Sequence, residues 1–195
     1  MPLLKRGPEV FPQGLFDVPP EDLPWTVAHT RSRQEKLLAR QLEAQGVAFY
    51  LPQFTRRVRR SSREFVSYIP LFAGYLFVRA DPPSRDAVYR NPLVVRLLEV
   101  RDQQLLHQEL GQLRALQESG AELIPYARIR PGDCVRVAEG PFRGYRGHVL
   151  RTQSGLRLIV SISMLSQSVA VEFGRESLIR EPQDAATGTG PSAVA

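Results

Sequence analysis

The sequence predicts an α+β protein, with a split-βαβ antiparallel sheet carrying helices on one face and a small β-barrel after it. Three observations predict it. Between residues 25 and 100 the periodicity reads strand, helix, strand, strand, helix, strand. A longer apolar stripe at helical spacing follows. Beyond residue 129, valine and isoleucine alternate with polar residues in four short runs punctuated by glycine.

The elements follow in order. Trp25-Thr26-Val27-Ala28-His29 reads as a strand, and Ser32-Arg33-Gln34-Glu35 as a capping box with a serine N-cap. Leu38 and Leu42, flanked by Leu37, supply a helical stripe, and Gly46 stops it. Residues 47–54 are strand-like but interrupted by Pro52, which predicts an edge or a bulge. The arginine-rich segment 56–64 then separates that strand from two more, at 65–69 and 75–79. A short helix is expected over 84–90, ended by Asn91-Pro92, and a strand over 94–100. Leu106, Leu110 and Leu113 fall at i, i+4 and i+7, so the helix 102–118 packs along one side.

The barrel strands are expected at 133–138, 147–151, 157–161 and 168–173. Its first hairpin holds the stretch VAEGPFRGYRGHVL, where glycine permits the tight corner. The resulting domain plan is a flexible proline-rich leader (1–23), a first domain (24–118), a linker (119–130), the barrel (131–181) and a disordered tail (182–195).

Composition narrows the chemistry. A formal charge of +6, carried mostly by arginine, suits phosphate partners, though it also serves solubility. A single cysteine, Cys134, excludes an internal disulfide framework and fits a reducing cytoplasm. No run approaches the ~20 apolar residues that span a bilayer, and the start does not read as a signal peptide. His29, His107 and His148 have no metal-ligand spacing, and no phosphate-cradling glycine loop or nucleophile constellation is found. Neither enzyme activity nor a cofactor or metal is expected.

Three features point to binding instead. Arg56, Arg57, Arg59, Arg60 and Arg63 crowd one segment that can grip a phosphate backbone or simply stay solvated. Arg31, Arg33, Lys36 and Arg40 form a second basic group, equally readable as a polar helix face. In Leu71-Phe72-Ala73-Gly74-Tyr75-Leu76-Phe77-Val78, alternation puts Tyr75 and Phe77 on one face. That face is core, a docking patch, or a base-stacking platform of the kind found in RNA-recognition modules.

Taken together, the two units resemble the NusG family of transcription elongation factors. The resemblance rests on the tryptophan-led strand from Trp25 and on the phrase Pro70-Leu71-Phe72-Ala73-Gly74-Tyr75. It rests also on Gly132-Asp133-Cys134-Val135-Arg136-Val137 with Gly140-Pro141-Phe142 and Gly147, a KOW-like pattern. It spans about residues 24–180 and implies binding, not catalysis. The first, NGN-like domain would dock the clamp helices of RNA polymerase through His29, Phe72, Ala73 and Tyr75, suppressing pausing or termination. The arginine loop would face upstream or non-template DNA. Arg31, Ser32, Arg33 and Gln34 match the surface by which specialised members read a looped-out non-template strand. The KOW barrel would recruit Rho or a ribosomal protein through an apolar tip, here Met164 and Leu165. Ala73 replaces a proline, and Ile162-Ser163-Met164-Leu165 lacks the general factor's Gly-Arg. The missing Gly-Arg, the Pro-Leu-Phe phrase at Pro70-Leu71-Phe72 and the longer helix at 102–118 point to an operon-specific antitermination paralog. A cytoplasmic monomer without membrane contact is expected. The alternative is an RNA-binding module that uses Tyr75, Phe77 and the basic loop.

Overall fold

The computed structural model describes residues 7–60, 63–120, 123–126, 134–137, 146–152, 155–165, 167–173 and 178–180. The first unit is a five-stranded antiparallel sheet in the order β1-β3-β6-β2-β7. Its strands are β1 (Val10–Phe11), β2 (Trp25–Thr30), β3 (Ala48–Tyr50), β6 (Tyr75–Arg79) and β7 (Val94–Glu99). A separate two-stranded ribbon, β4 (Gln53–Arg60) with β5 (Arg63–Pro70), is inserted between β3 and β6.

Alternation along the strands sends side chains to two faces, and each face is covered. On one side Ala28, Phe49, Leu76 and Val78 meet Leu38, Ala39 and Leu42 of α1 (Glu35–Ala44) and Val88 of α2 (Pro82–Tyr89). On the other, Trp25, Val27, Tyr50 and Phe77 meet Leu106, Leu110, Leu113 and Leu116 of α3 (Gln103–Glu118). Each such leucine contributes about 1.5–3 kcal/mol by leaving water. Helices α1 and α2 share one face, as the split-βαβ order predicts, and α3 covers the other, because Val27 and Phe77 need a cover of their own.

Several local expectations are also corrected. The capping box does not form. The α1 N-cap is Gln34 with no side-chain hydrogen bond, and Glu35 instead accepts the Gly74 backbone N–H at 2.6 Å. Leu37 is exposed, and Ala39 takes its place in the stripe. The strand expected over 47–54 breaks at Leu51-Pro52, and the chain leaves the sheet there as the ribbon. The arginine segment is thus itself a strand. The stop at Gly46 is found, with φ of 72°.

The largest departure concerns residues 7–23, expected to be a flexible leader. Val10 and Phe11 pair with Tyr50 and Phe49, and Leu15 is fully buried. Arg79, itself 1 % exposed, fastens the segment. Its Nε donates to the Leu23 carbonyl at 2.7 Å, Nη1 to Leu15 and Val18 at 2.7 Å each, and Nη2 to Pro19 at 2.6 Å. Proline-broken backbone has few partners of its own kind, so a buried guanidinium supplies them.

The second unit is a six-stranded sheet in the order β13-β9-β10-β11-β12-β8, antiparallel throughout. Its strands are β8 (Leu123–Tyr126), β9 (Cys134–Val137), β10 (Arg146–Thr152), β11 (Gly155–Ile162), β12 (Gln167–Phe173) and β13 (Leu178–Arg180). Strand β8 falls inside the expected linker 119–130, which is corrected accordingly: Leu123 to Tyr126 pair with Val171 to Ser168. The glycine-hairpin residues 138–145 and the tail 182–195 lie outside the described residues.

Candidate functional site

One end of the five-stranded sheet gathers the expected binding residues, because β2 ends, β6 begins and β7 begins there. His29, one residue before the end of β2, lies opposite Tyr75 on β6, and the two rings stack with centroids 5.2 Å apart. Between them the chain turns at Gly74, whose φ of 84° suits glycine far better than any L-residue. The turn is held on three sides. Gly74 donates to Glu35, its carbonyl accepts from Thr30 N–H at 2.8 Å, and Tyr75 N–H donates to Phe72 at 3.1 Å. Glu35 thus does more for the site than for its own helix.

The four expected docking residues do come together, but not with equal access. Ala73 is exposed, while His29 and Tyr75 are half-buried. Phe72 is 2 % exposed and meets Phe77 edge-to-face at 5.8 Å. Phe72 is therefore a floor and not an anchor, and the accessible aromatic is Tyr75. Phe77 is fully buried under α3, so it offers no face for a base. His29 Nδ1 is buried without a hydrogen-bond partner, the sort of group that normally finds one.

Sequence reasoning missed Arg96. It sits opposite His29 in the β2–β7 register, so Arg96, His29 and Tyr75 form one row across three strands. Arg96 is exposed. Its position depends on strand pairing, for which the run Val94–Glu99 holds no local signal.

The basic residues divide into two groups. Arg31, Ser32 and Arg33 are exposed in the loop joining β2 to α1, and Gln34 is half-buried. Arg33 has φ of 62°, a left-handed conformation that costs a side-chain-bearing residue of order 1–3 kcal/mol. Lys36 leaves the group: it is 7 % exposed, its Nζ donates to the Tyr68 carbonyl, and burial lowers its pKa, with Arg40 adding to that. It anchors the β4–β5 ribbon instead of facing a ligand. On that ribbon Arg56 and Arg57 are exposed, and eight cross-strand pairs run from Gln53↔Pro70 to Arg60↔Arg63. The side chains of Arg59, Arg60 and Arg63 lie outside the described residues.

Met164 and Leu165 occupy a single 3-10 turn, Ser163–Leu165, after β11. Both pack against the first unit's core, where Ile162 is fully buried. Met164 lines a groove of about 640 Å³ with Arg96, Leu98, Val100, Leu105 and Leu106. The expected apolar tip is thus half-buried, and Met164 ends beside the Arg96–His29–Tyr75 row. Among the described residues no group of histidine, cysteine and carboxylate side chains is placed to hold a metal ion, and no helix is long and apolar enough to cross a membrane.

Comparison with known proteins places the first unit. Residues 23–113 match the family described as transcription termination factor nusG. No curated protein matches the chain. Among solved structures, one of domain interaction in Thermotoga maritima NusG is 20% identical, covering 76% of this chain and 92% of that one with a TM-score of 0.47. An MjSpt4:Spt5 complex is 16% identical, covering 81% and 99% with a TM-score of 0.29.

Proposed function

Residues 23–113 match the NusG family, and from that premise we propose that the chain is a NusG-family transcription factor that binds RNA polymerase and suppresses pausing or termination. The docking surface is the row Arg96–His29–Tyr75 with Ala73 at its rim, aimed at the polymerase clamp helices. The observation that carries this reading is the stacked His29–Tyr75 pair, fixed by the Gly74 turn beside an exposed Ala73. A rigid aromatic at the edge of an apolar patch concentrates interface energy, and Arg96 adds a fork for a carboxylate.

The arginine ribbon would lie along upstream or non-template DNA, holding it through charge without reading sequence. At eight residues per strand it is about 26 Å long, enough to follow several phosphates. Arg31, Ser32, Arg33 and Gln34 would contact the displaced non-template strand. The second sheet, read as a KOW domain, would recruit Rho or a ribosomal protein through Met164 and Leu165. The departure in Ile162-Ser163-Met164-Leu165, the Pro70-Leu71-Phe72 phrase and the length of α3 support an operon-specific paralog over a general factor.

The test is binding of the full chain to RNA polymerase clamp helices, wild type beside Tyr75→Ala. Removing the ring should weaken binding about thirtyfold, some 2 kcal/mol, with little change in melting. Equal affinity for the two proteins would remove the docking surface.

A further inference from the structure

We propose that Glu35 is a positioning residue for the docking turn and stands at a two-state switch. Its carboxylate either holds the Gly74 N–H or closes a capping box with Ser32, and a partner seated on Ala73 and Tyr75 selects the first state. The partner's part in this rests on the docking reading above; the switch itself rests on the free chain.

The stretch Ser32-Arg33-Gln34-Glu35 has the residue types of a capping box at the right spacing. In that arrangement the Ser32 hydroxyl accepts the Glu35 N–H, and the Glu35 carboxylate accepts the Ser32 N–H. The chain adopts another one. Helix α1 starts only at Glu35, its N-cap Gln34 makes no side-chain hydrogen bond, and Ser32 is exposed. One backbone angle separates the two. Arg33 has φ of 62°, the only positive φ outside glycine among the described residues, while Gln34 already lies in the right-handed region. Returning Arg33 to that region adds two residues to the helix and makes Ser32 its N-cap.

The strained state is held from the neighbouring strand. Glu35 is 5% exposed and accepts the Gly74 N–H at 2.6 Å, and the Gly74 carbonyl accepts the Thr30 N–H at 2.8 Å. One side chain cannot reach across to Gly74 and fold back over its own helix start at once, so the two states exclude each other. Strain at Arg33 opposes the first state and the Gly74 hydrogen bond favours it. With the carboxylate withdrawn, the Gly74 N–H loses its acceptor and Tyr75 its fixed mounting. A partner on that turn therefore binds the first state more tightly.

The experiment compares Arg33→Gly with Arg33→Val in the full chain. Both remove the charge, but glycine enters the left-handed region freely and a β-branched residue avoids it. Amide exchange followed by NMR reads both states, since one bonds the Gly74 N–H and the other the Ser32 N–H. Relative to Arg33→Gly, Arg33→Val should exchange Gly74 about tenfold faster and Ser32 about tenfold slower. It should also bind clamp helices about tenfold more weakly. Glu35→Gln, which keeps an acceptor oxygen, should recover most of the binding that Glu35→Ala loses. Equal exchange in the two Arg33 variants, or both amides exchanging faster together, would overturn the switch. Clamp helices that bind Arg33→Val without slowing Gly74 would overturn the partner's choice of state. A wild type that binds no clamp helices sinks the docking reading, and reciprocal exchange in the free chain then upholds the switch or, by its absence, sinks it too.

Discussion

The two ends of the five-stranded sheet are built on opposite principles. At one end Arg79, Trp25 and His107 form a closed clasp. Arg79 spends its N–H groups on four carbonyls and lies 5.1 Å over the Trp25 ring, whose Nε1 donates to His107 Nδ1 at 3.2 Å. At the other end His29 Nδ1 has no partner and Arg33 holds a left-handed conformation. Satisfied groups stabilise a fold, while unsatisfied and strained ones are tolerated where a partner completes them. The stabilising end and the binding end are thus separated along the strands.

The comparison is broken most directly at Phe72, which sits at the binding end but belongs to the core. Phe72→Ala should cost about 3–5 kcal/mol of stability, the usual range for emptying a buried phenylalanine site. Urea denaturation measures it. If the variant were as stable as wild type, Phe72 would be a surface anchor after all, and the division between floor and anchor would fail.

At the closed end, Arg79→Met keeps much of the buried volume and removes the donors. Four carbonyls then lose a partner, and some regain water as residues 15–23 loosen. A loss of about 2–3 kcal/mol is expected, together with faster proteolysis within residues 7–23. Unchanged protease resistance would show that strand β1 and Leu15 hold the segment without the guanidinium.

These two positions also show what the sequence made legible. Helical and strand periodicities are local, so Leu106, Leu110 and Leu113 marked the side of α3 that packs, and the β-α-β-β-α-β order was readable. The packing of residues 7–23 was not, because the partner is Arg79, distant in sequence and with no local mark of its burial. The capping box was read from the right residue types, but a tertiary demand, the Gly74 N–H, took the Glu35 carboxylate. At the binding end the residues were legible as a set and their exposure was not. Phe72 and Tyr75 look alike in the sequence, and only the turn at Gly74 sends one inward and leaves the other at the rim. Arg96 depended on strand register, which no run of a few residues encodes.

The smallest expected effect sharpens the comparison through pH. His107 has its pKa lowered from 6.5, first by burial and then by the Arg79 guanidinium, with Glu21 and the Phe16 carbonyl acting the other way. The folded protein therefore binds this proton less readily than the unfolded chain. Stability from the clasp is fully present above about pH 6.5 and falls as the pH drops below that value. Protonation at Nδ1 would also remove the acceptor for the Trp25 indole. Since Trp25 is the chain's one tryptophan, its fluorescence reports the clasp directly during urea unfolding. Wild type should lose more stability than His107→Gln between about pH 7.5 and 5.5, because the amide oxygen accepts a hydrogen bond without titrating. Parallel losses in the two proteins would place the acid sensitivity elsewhere and leave the clasp indifferent to pH.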